Sequence, residues 1–338
     1  MNSFSFTIPQ NIVVGAGSLK RLPELAKNLK KSKAYIISGP HLEKIGMVDK
    51  CREALKAAGI ESDSFTQTEG NPSTDTVAKA AEGFKSSKAD FIVAFGGGSP
   101  LDVAKAVAVI ASYGGNITDY EGGGKVPGPV VPMIAIPTTA GTGSEVTAFS
   151  VITDHSRNYK LTVVSNYLLP AYAILDPELI TTVPKSTAAA CGIDAMVHAL
   201  EAFISKAASP FSDLFAKEAL RLIGTSIRDY VLDRSNLAAC ESMLTGSLFA
   251  GIAFSHARLG DVHAMSHPVS AYFDVAHGVA NAVLLPTIVD YNMTYASEKY
   301  KYIYDCICEK PLSDDTFTPE MLAAEIRVLN DELGIPSS

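Results

Sequence analysis

The segment DFIVAFGGGSPLDVAKAVAVIASY, residues 90–113, holds the pattern that decides the fold. Its first six residues read as a buried strand, three glycines and Ser99 make a tight turn, and a helical pattern starts at Pro100. A turn of this kind exposes backbone N–H groups at a helix N-terminus, where the helix dipole favours a phosphate or pyrophosphate. Glycine alone is weak evidence, because loops are glycine-rich for conformational reasons. The order of strand, glycines, serine and helix predicts a phosphate site here, although it is not the GxGxxG fingerprint.

Strands and helices alternate on both sides of this segment. Short apolar runs, AYIIS at residues 34–38 and PMIAIP at residues 132–137, are separated by amphipathic helical stretches. TAFSVIT and YKLTVVS, at residues 147–153 and 159–165, predict a hairpin that contains Lys160. The alternation predicts an α/β domain with a Rossmann-like parallel sheet and crossover helices.

TTAGTGSE, residues 138–145, follows the strand PMIAIP directly. Its hydroxyls and glycines therefore lie at the carboxyl end of a strand, the edge where open α/β sheets bind ligands. The alternative is a polar turn that caps the next element, and on these residues alone that alternative is the better one.

The strand pattern stops near Pro184, and the rest of the chain reads as helical. We therefore expect an α/β domain over residues 1–184 and an all-α domain over residues 185–338.

Residues 256–277 contain four of the seven histidines. His263 and His267 are four residues apart, which places both imidazoles on one face of a helix. Asp194 and His198 have the same spacing, and His277 precedes Gly278, which lets the backbone approach a neighbour closely. Imidazole and carboxylate are good ligands for a divalent first-row ion, and without cysteine the set favours iron or zinc. Any single histidine is more often a core or surface residue, so the two matched spacings carry the prediction, and spacing alone does not say which histidines bind.

The composition excludes several classes of protein. A net charge of −8 argues against a nucleic-acid partner. The N-terminus lacks the features of a signal peptide, and no apolar run reaches the roughly 18 residues needed to span a bilayer. The five scattered cysteines indicate reduced thiols. We therefore expect a cytoplasmic protein with no membrane partner.

Four motifs, in this order, resemble the iron-dependent (group III) alcohol dehydrogenases over the whole chain. They are GGGSPLDVAKA, PTTAGTGSEVT, GIDAMVHALEA and GDVHAMSHPVSAYFDVAHGVANAVLLP. The resemblance implies a dehydroquinate-synthase-like architecture, with a dinucleotide-binding first domain and a metal-binding second domain. It implies Fe²⁺, with Zn²⁺ as an alternative, held by Asp194, His198, His263 and His277. His267 would then not be a ligand but would lie beside the nicotinamide and substrate as the catalytic residue.

The same resemblance implies roles for residues of the first domain. Gly97, Gly98 and Ser99 would contact the pyrophosphate, Thr138, Thr139 and Thr142 the cofactor's phosphates and nicotinamide side, Lys160 a ribose, and Asn71 the adenosine half. Val151 and Phe254 would line the substrate pocket.

Two departures from the family pattern matter. Many NAD-preferring members carry an aspartate where this chain has Gly39, and that carboxylate accepts from the ribose 2′-hydroxyl and repels a 2′-phosphate. Without it we expect NADP use, alone or beside NAD. The sequence also stops at Ser338, whereas relatives usually carry a further C-terminal helical segment.

The resulting expectation is a metal-dependent oxidoreductase that transfers hydride reversibly between NAD(P) and a small primary alcohol or aldehyde, acting as a homodimer or larger homo-oligomer. One alternative is a nicotinamide-using lyase of the dehydroquinate-synthase kind, which needs a basic phosphate pocket. Another is a non-catalytic assembly protein with a vestigial site.

Overall fold

The computed structural model describes residues 6, 8, 10–309, 313 and 316–336. The chain divides into two compact units. An α/β unit comprises Pro9–Thr138 and Ser144–Leu179, and a helical unit comprises Met1–Ile8, Thr139–Gly143 and Ile180–Ser338.

A six-stranded sheet in which every pairing is parallel organises the α/β unit, as the alternating pattern predicts. Its strands, in the order β1-β9-β6-β4-β2-β3, are β1 (Asn11–Val14), β2 (Lys33–Ile37), β3 (Glu61–Phe65), β4 (Phe91–Gly96), β6 (Met133–Pro137) and β9 (Tyr172–Leu175). A second, three-stranded sheet contains β5 (Gly122–Gly123), β7 (Phe149–Asp154) and β8 (Tyr159–Val164). β7 and β8 pair antiparallel, which confirms the predicted hairpin.

Helices cover the large sheet. In this unit they are α1 (Leu22–Asn28), α2 (Pro40–Lys44), α3 (Met47–Ala57), α4 (Thr74–Ser87) and α5 (Gly98–Tyr113). Alternate residues of the central strands face opposite layers, as the two-residue period of a strand requires. Ile92 and Ala94 of β4 pack in the layer with α4 and α5, whereas Phe91, Val93 and Phe95 pack in the layer with α1 and α3.

The strand order reverses at β2. The chain runs from β2 outward to β3 and then returns to β4 on the other side of β2, so β2 and β4 are neighbours, with Ile37 opposite Ala94. Ligands of open α/β sheets bind outside the carboxyl ends of the strands at such a switch point. The two turns that follow these strands contain Gly39 and Gly97.

A buried lysine ties the middle of α5 to the first residue of β7 and the segment before it. Lys105 is fully buried, and its ammonium group donates to Ser144 Oγ at 2.9 Å, Thr147 Oγ1 at 3.1 Å and the Phe149 carbonyl at 2.7 Å. Ser144 in turn donates to Asp102 Oδ1 at 2.7 Å. Burial lowers the pKa of Lys105 to about 8, although the charge of Asp102 acts in the opposite direction.

Replacing Lys105 with methionine is expected to lower the free energy of unfolding by about 3 kcal/mol, because it leaves the partly buried Asp102 carboxylate without its cation. Urea unfolding followed by circular dichroism measures this change. Lys79→Met on the exposed face of α4 is the control, with an expected change within about 0.5 kcal/mol. Equal midpoints for the two variants would contradict the structural role of the cluster.

Long helices make up the second unit: α6 (Lys185–Ile204), α7 (Pro210–Leu232), α8 (Leu237–Ala257), α9 (Asp261–Phe273), α10 (His277–Ile307) and α11 (Pro319–Leu333). Within the described residues, α6 and α8 are long and apolar enough to cross a membrane by length and composition, contrary to our reading of the sequence. Their apolar windows are 83% and 67% buried inside the protein. Core helices of globular proteins pass the same test, so the match carries little weight.

Candidate metal centre

Three helices of the helical unit carry the five metal-ligand candidates. Asp194 and His198 lie one turn apart on α6, and His263 and His267 lie one turn apart on α9. His277 is the first residue of α10. α9 continues through Pro268, so both histidines of the predicted pair belong to one helix.

The side chains of Asp194, His198, His263 and His277 converge. Asp194 Oδ1 lies 3.8 Å from His198 Nε2, 3.7 Å from His263 Nε2 and 3.8 Å from His277 Nε2. Ligand atoms of Asp194, His263 and His277 all lie within 4.8 Å of one another. A cation about 2.1 Å from each ligand atom would set neighbouring ligands roughly 3.0–3.4 Å apart. The observed spacings are only slightly wider.

Asn281 shows that three of these ligand atoms surround one point. Its carboxamide nitrogen lies 2.6 Å from Asp194 Oδ1 and 3.2 Å from Nε2 of both His263 and His277. Its carboxamide oxygen is buried and has no hydrogen-bond partner among the described residues. A compact set of nitrogen and oxygen donors beside an orphaned acceptor fits a divalent cation, so the residues present are suited to the metal that the resemblance implies.

The electrostatics of the cluster favour cation binding by Asp194 and His198. Burial by itself raises the pKa of Asp194, but the neighbouring imidazoles outweigh burial and hold this pKa well below its usual range. Burial lowers the pKa of His198 to about 4, so its ring is neutral at pH 7. An anionic carboxylate and a neutral imidazole are the forms that bind metal.

The segment Thr139–Gly143, which includes the cofactor candidates Thr139 and Thr142, belongs to the helical unit. The carbonyl of Gly141 accepts a hydrogen bond from His198 Nδ1 at 3.3 Å, which directs the ring's Nε2 toward Asp194. A Cβ at position 141 would lie 2.9 Å from that of Cys191, so only glycine lets this segment approach α6.

Phe254 and His267 flank the ligand set. The ring of Phe254, a predicted pocket residue on α8, stacks on His198 with centroids 4.5 Å apart. The partly exposed ring of His267 lies 5.8 Å from the His263 ring and 5.1 Å from the His277 ring, measured between centroids. Neither His198 nor His267 belongs to the group of three mutually close ligand residues, but His198 Nε2 lies 3.8 Å from Asp194 Oδ1.

The close approach expected at Gly278 is confirmed. A Cβ there would overlap the Ala190 carbonyl of α6, so glycine lets the start of α10 contact the backbone of the helix that carries Asp194. His277 is the residue before it, and this contact fixes its position relative to α6.

In the α/β unit, the glycine turn lies at the amino end of α5. Gly97 is the N-cap of that helix, and Gly98 and Ser99 are its first two residues. The helix starts two residues earlier than predicted, because Pro100 is accommodated in the first turn, where a backbone N–H has no intrahelical partner.

Gly96 has φ 154° and a Cβ there would clash with the Pro100 ring, so glycine is required. Thr138 donates its backbone N–H to the Gly96 carbonyl at 2.9 Å and is buried.

Further cofactor candidates lie at the carboxyl ends of β2 and β3 and near the hairpin. Gly39 is the N-cap of α2, and the hydroxyls of Ser38 and Thr68 beside it are buried without a partner among the described residues.

Lys160 donates to Asn71 Oδ1 at 2.9 Å, so these two candidates lie together. Val151 on β7 donates its backbone N–H to Asp102 Oδ2 at 3.3 Å.

Sequence reasoning missed two buried residues of the metal centre. Asn281 lies four residues after His277 on α10, and Glu201 lies seven residues after Asp194 on α6. Glu201 Oε2 is 2.6 Å from His263 Nδ1. Helical spacing was the available signal, because both residues lie on the same face as a ligand candidate.

Comparisons with known proteins identify the family of this chain. Residues 9–177 match the model of the iron-containing alcohol dehydrogenases, and residues 188–338 match that of the C-terminal part of the Fe-containing alcohol dehydrogenase family. The chain is 35% identical to the NAD-dependent methanol dehydrogenase of Bacillus methanolicus, over 98% of this chain and 88% of that protein. It is 36% identical to the NADPH-dependent butanol dehydrogenase of Clostridium saccharobutylicum, over 98% of this chain and 85% of that protein.

Among solved structures, a 1,3-propanediol oxidoreductase superposes with a TM-score of 0.94 at 38% identity, covering 99% of this chain and 88% of that one. The matches extend over both units. The chain therefore belongs to the iron-containing alcohol dehydrogenase family.

Proposed function

We propose that this chain is a metal-dependent oxidoreductase that transfers hydride reversibly between NAD(P) and a small primary alcohol or its aldehyde. The observation that carries the proposal is the convergence of one carboxylate oxygen and three imidazole nitrogens, with 3.7–3.8 Å between that oxygen and each nitrogen. Family membership supports it, since the relatives compared above are named as alcohol dehydrogenases or oxidoreductases of small alcohols.

A divalent ion in this site supplies Lewis acidity, which polarises an aldehyde carbonyl or lowers the pKa of an alcohol. Asp194, His198, His263 and His277 would hold it. We propose Fe²⁺, with Zn²⁺ as the alternative, because the donor set contains no sulfur and the family is iron-containing.

The remaining residues of the centre would position ligands and move protons. The Gly141 carbonyl holds the His198 ring, and the ring of Phe254 covers one face of it. His267, partly exposed beside His263 and His277, would pass a proton between substrate and solvent, because imidazole titrates near neutral pH.

The α/β unit would bind the dinucleotide at the switch point, with the pyrophosphate at the amino end of α5. We propose that NADP is admitted. Gly39, the N-cap of α2, offers no carboxylate to repel a 2′-phosphate. The nearby Glu69 carboxylate is already engaged by Thr76 Oγ1 at 2.6 Å and the Ser73 N–H at 3.0 Å.

The lyase alternative has less support. A phosphorylated sugar substrate needs cationic side chains, yet residues 190–204 and 256–281, which supply the ligands, contain only Arg258 besides histidines.

A panel of small aldehydes tests the proposal, assayed with NADPH and with NADH after reconstitution with Fe²⁺ or Zn²⁺. We expect net oxidation of NADPH that stops on chelation and returns when metal is added. A catalytic efficiency that strongly favours NADH would contradict the Gly39 argument alone. Absence of net nicotinamide oxidation with every aldehyde would contradict the proposed reaction.

A further inference from the structure

Glu201 is a buried carboxylate on the helix that carries Asp194 and His198. Only 2% of the residue is exposed. Both of its oxygens contact donors near the start of α9: Oε1 accepts the Val262 backbone N–H at 2.7 Å, and Oε2 accepts a hydrogen bond from His263 Nδ1 at 2.6 Å. One side chain of α6 therefore holds both the backbone and a ligand candidate of α9.

The contact to Val262 caps α9. The N-cap residue of this helix is Gly260, which has no side chain to satisfy the first backbone N–H groups. Glu201 takes that role from a different helix. A Cβ at position 260 would lie 3.1 Å from Glu201 Oε1, so glycine at the N-cap leaves room for the carboxylate.

The contact to His263 determines which ring nitrogen faces the other ligands. A carboxylate acceptor at Nδ1 keeps a proton on that atom and leaves the lone pair of Nε2 available. His263 Nε2 is the atom that lies 3.7 Å from Asp194 Oδ1.

We propose that Glu201 is a positioning residue of the metal centre, which sets the affinity for the divalent cation by fixing the His263 ring and the start of α9 relative to α6. The inference rests on the proposed function, because it assumes that His263 is a metal ligand.

Glu201→Gln is the most informative substitution, because it preserves the shape of the side chain. If the glutamine oxygen accepts from Val262, its NH₂ group faces His263 Nδ1 and favours a proton on Nε2, the atom required for binding. If the amide is reversed, the NH₂ group faces the Val262 N–H, and two donors oppose each other. Either arrangement weakens the centre.

The measurement is Zn²⁺ affinity by competition with a chromogenic chelator. We expect one ion per wild-type chain and an affinity about 10–100-fold lower for Glu201→Gln. Ser209→Ala is the matched control, because it removes the N-cap of α7, where Ser209 accepts from the Ser212 N–H, and it should leave the affinity unchanged.

Proton–nitrogen NMR of the Zn²⁺-loaded protein gives a second readout that a general loss of stability would not change. The His263 Nδ1–H resonance should show a strong hydrogen bond to a carboxylate in the wild type and in Ser209→Ala, and should move in Glu201→Gln.

The outcomes separate the two claims. Wild-type affinity in a folded Glu201→Gln variant would overturn the role of Glu201 and leave the metal centre intact. A wild-type chain that binds no Zn²⁺ at micromolar concentration would overturn the metal centre itself. Should Glu201→Gln not fold, Glu201→Asp serves instead, because its shorter side chain cannot hold both the Val262 N–H and His263 Nδ1, and an unchanged affinity there would likewise overturn the inference.

Discussion

A protein carrying Asp194→Asn is expected to bind its divalent cation more than about 100-fold less tightly than the wild type. Loss of a residue that only hydrogen-bonds to a ligand lowers metal affinity by about 10–100-fold, and loss of a ligand itself should lower it further. Asp194 Oδ1 lies 3.7–3.8 Å from Nε2 of each of the three histidines, and the Asp194 carboxylate is the negatively charged member of the ligand set. Asparagine keeps the size of the side chain and removes the charge. Turnover with an aldehyde should fall in parallel.

Metal content after anaerobic purification and chelator competition measure this loss. Asp229→Asn, an exposed aspartate of α7 in the same unit, is the control and should retain wild-type metal. Full occupancy of Asp194→Asn would show that the carboxylate is not a ligand.

The second large effect is expected for His267→Ala, which should lower kcat by about 100-fold or more while leaving bound metal nearly unchanged. The His267 ring lies close to the rings of His263 and His277, but Asp194, His198, His263 and His277 already supply four convergent ligand atoms. The two readouts therefore separate proton transfer from metal binding.

Steady-state kinetics and metal analysis on the same preparation provide both values. His155→Ala, an exposed histidine in the turn between β7 and β8, should behave as the wild type. Loss of metal from His267→Ala would mean that His267 is a ligand and that its role has been misassigned.

Much of the fold follows from local patterns. Alternation of short apolar runs with amphipathic stretches predicted the parallel sheet, and the helical half begins where the strand pattern ends. These features could be predicted because the periods of strands and helices are properties of neighbouring residues. The α/β and all-α architecture, of the dehydroquinate-synthase-like kind, is that of the family's solved structures.

The candidate metal centre was only partly predictable. Four-residue spacings placed Asp194 with His198 and His263 with His267, but they could not say which rings point to a common centre. Tertiary contacts decide this, such as the hydrogen bond from His198 to the carbonyl of Gly141, 57 residues away in sequence.

Two buried charged residues were missed for a different reason. Lys105 and Glu201 lie on helices, where a charged residue usually faces solvent. Each is instead buried among several hydrogen-bond partners, and three partners of Lys105 are about 40 residues distant in the chain. Helical spacing places Glu201 on the same face as Asp194, but no local pattern shows that such a charged residue is buried rather than solvated.

Anomalous diffraction at the metal absorption edge, from crystals grown with Fe²⁺ or Zn²⁺, tests the central claim most directly. The convergent ligand set predicts one peak per chain, about 2.0–2.2 Å from Asp194 Oδ1 and from Nε2 of His198, His263 and His277. A peak bound elsewhere, or metal-loaded crystals with no peak at this position, would contradict it.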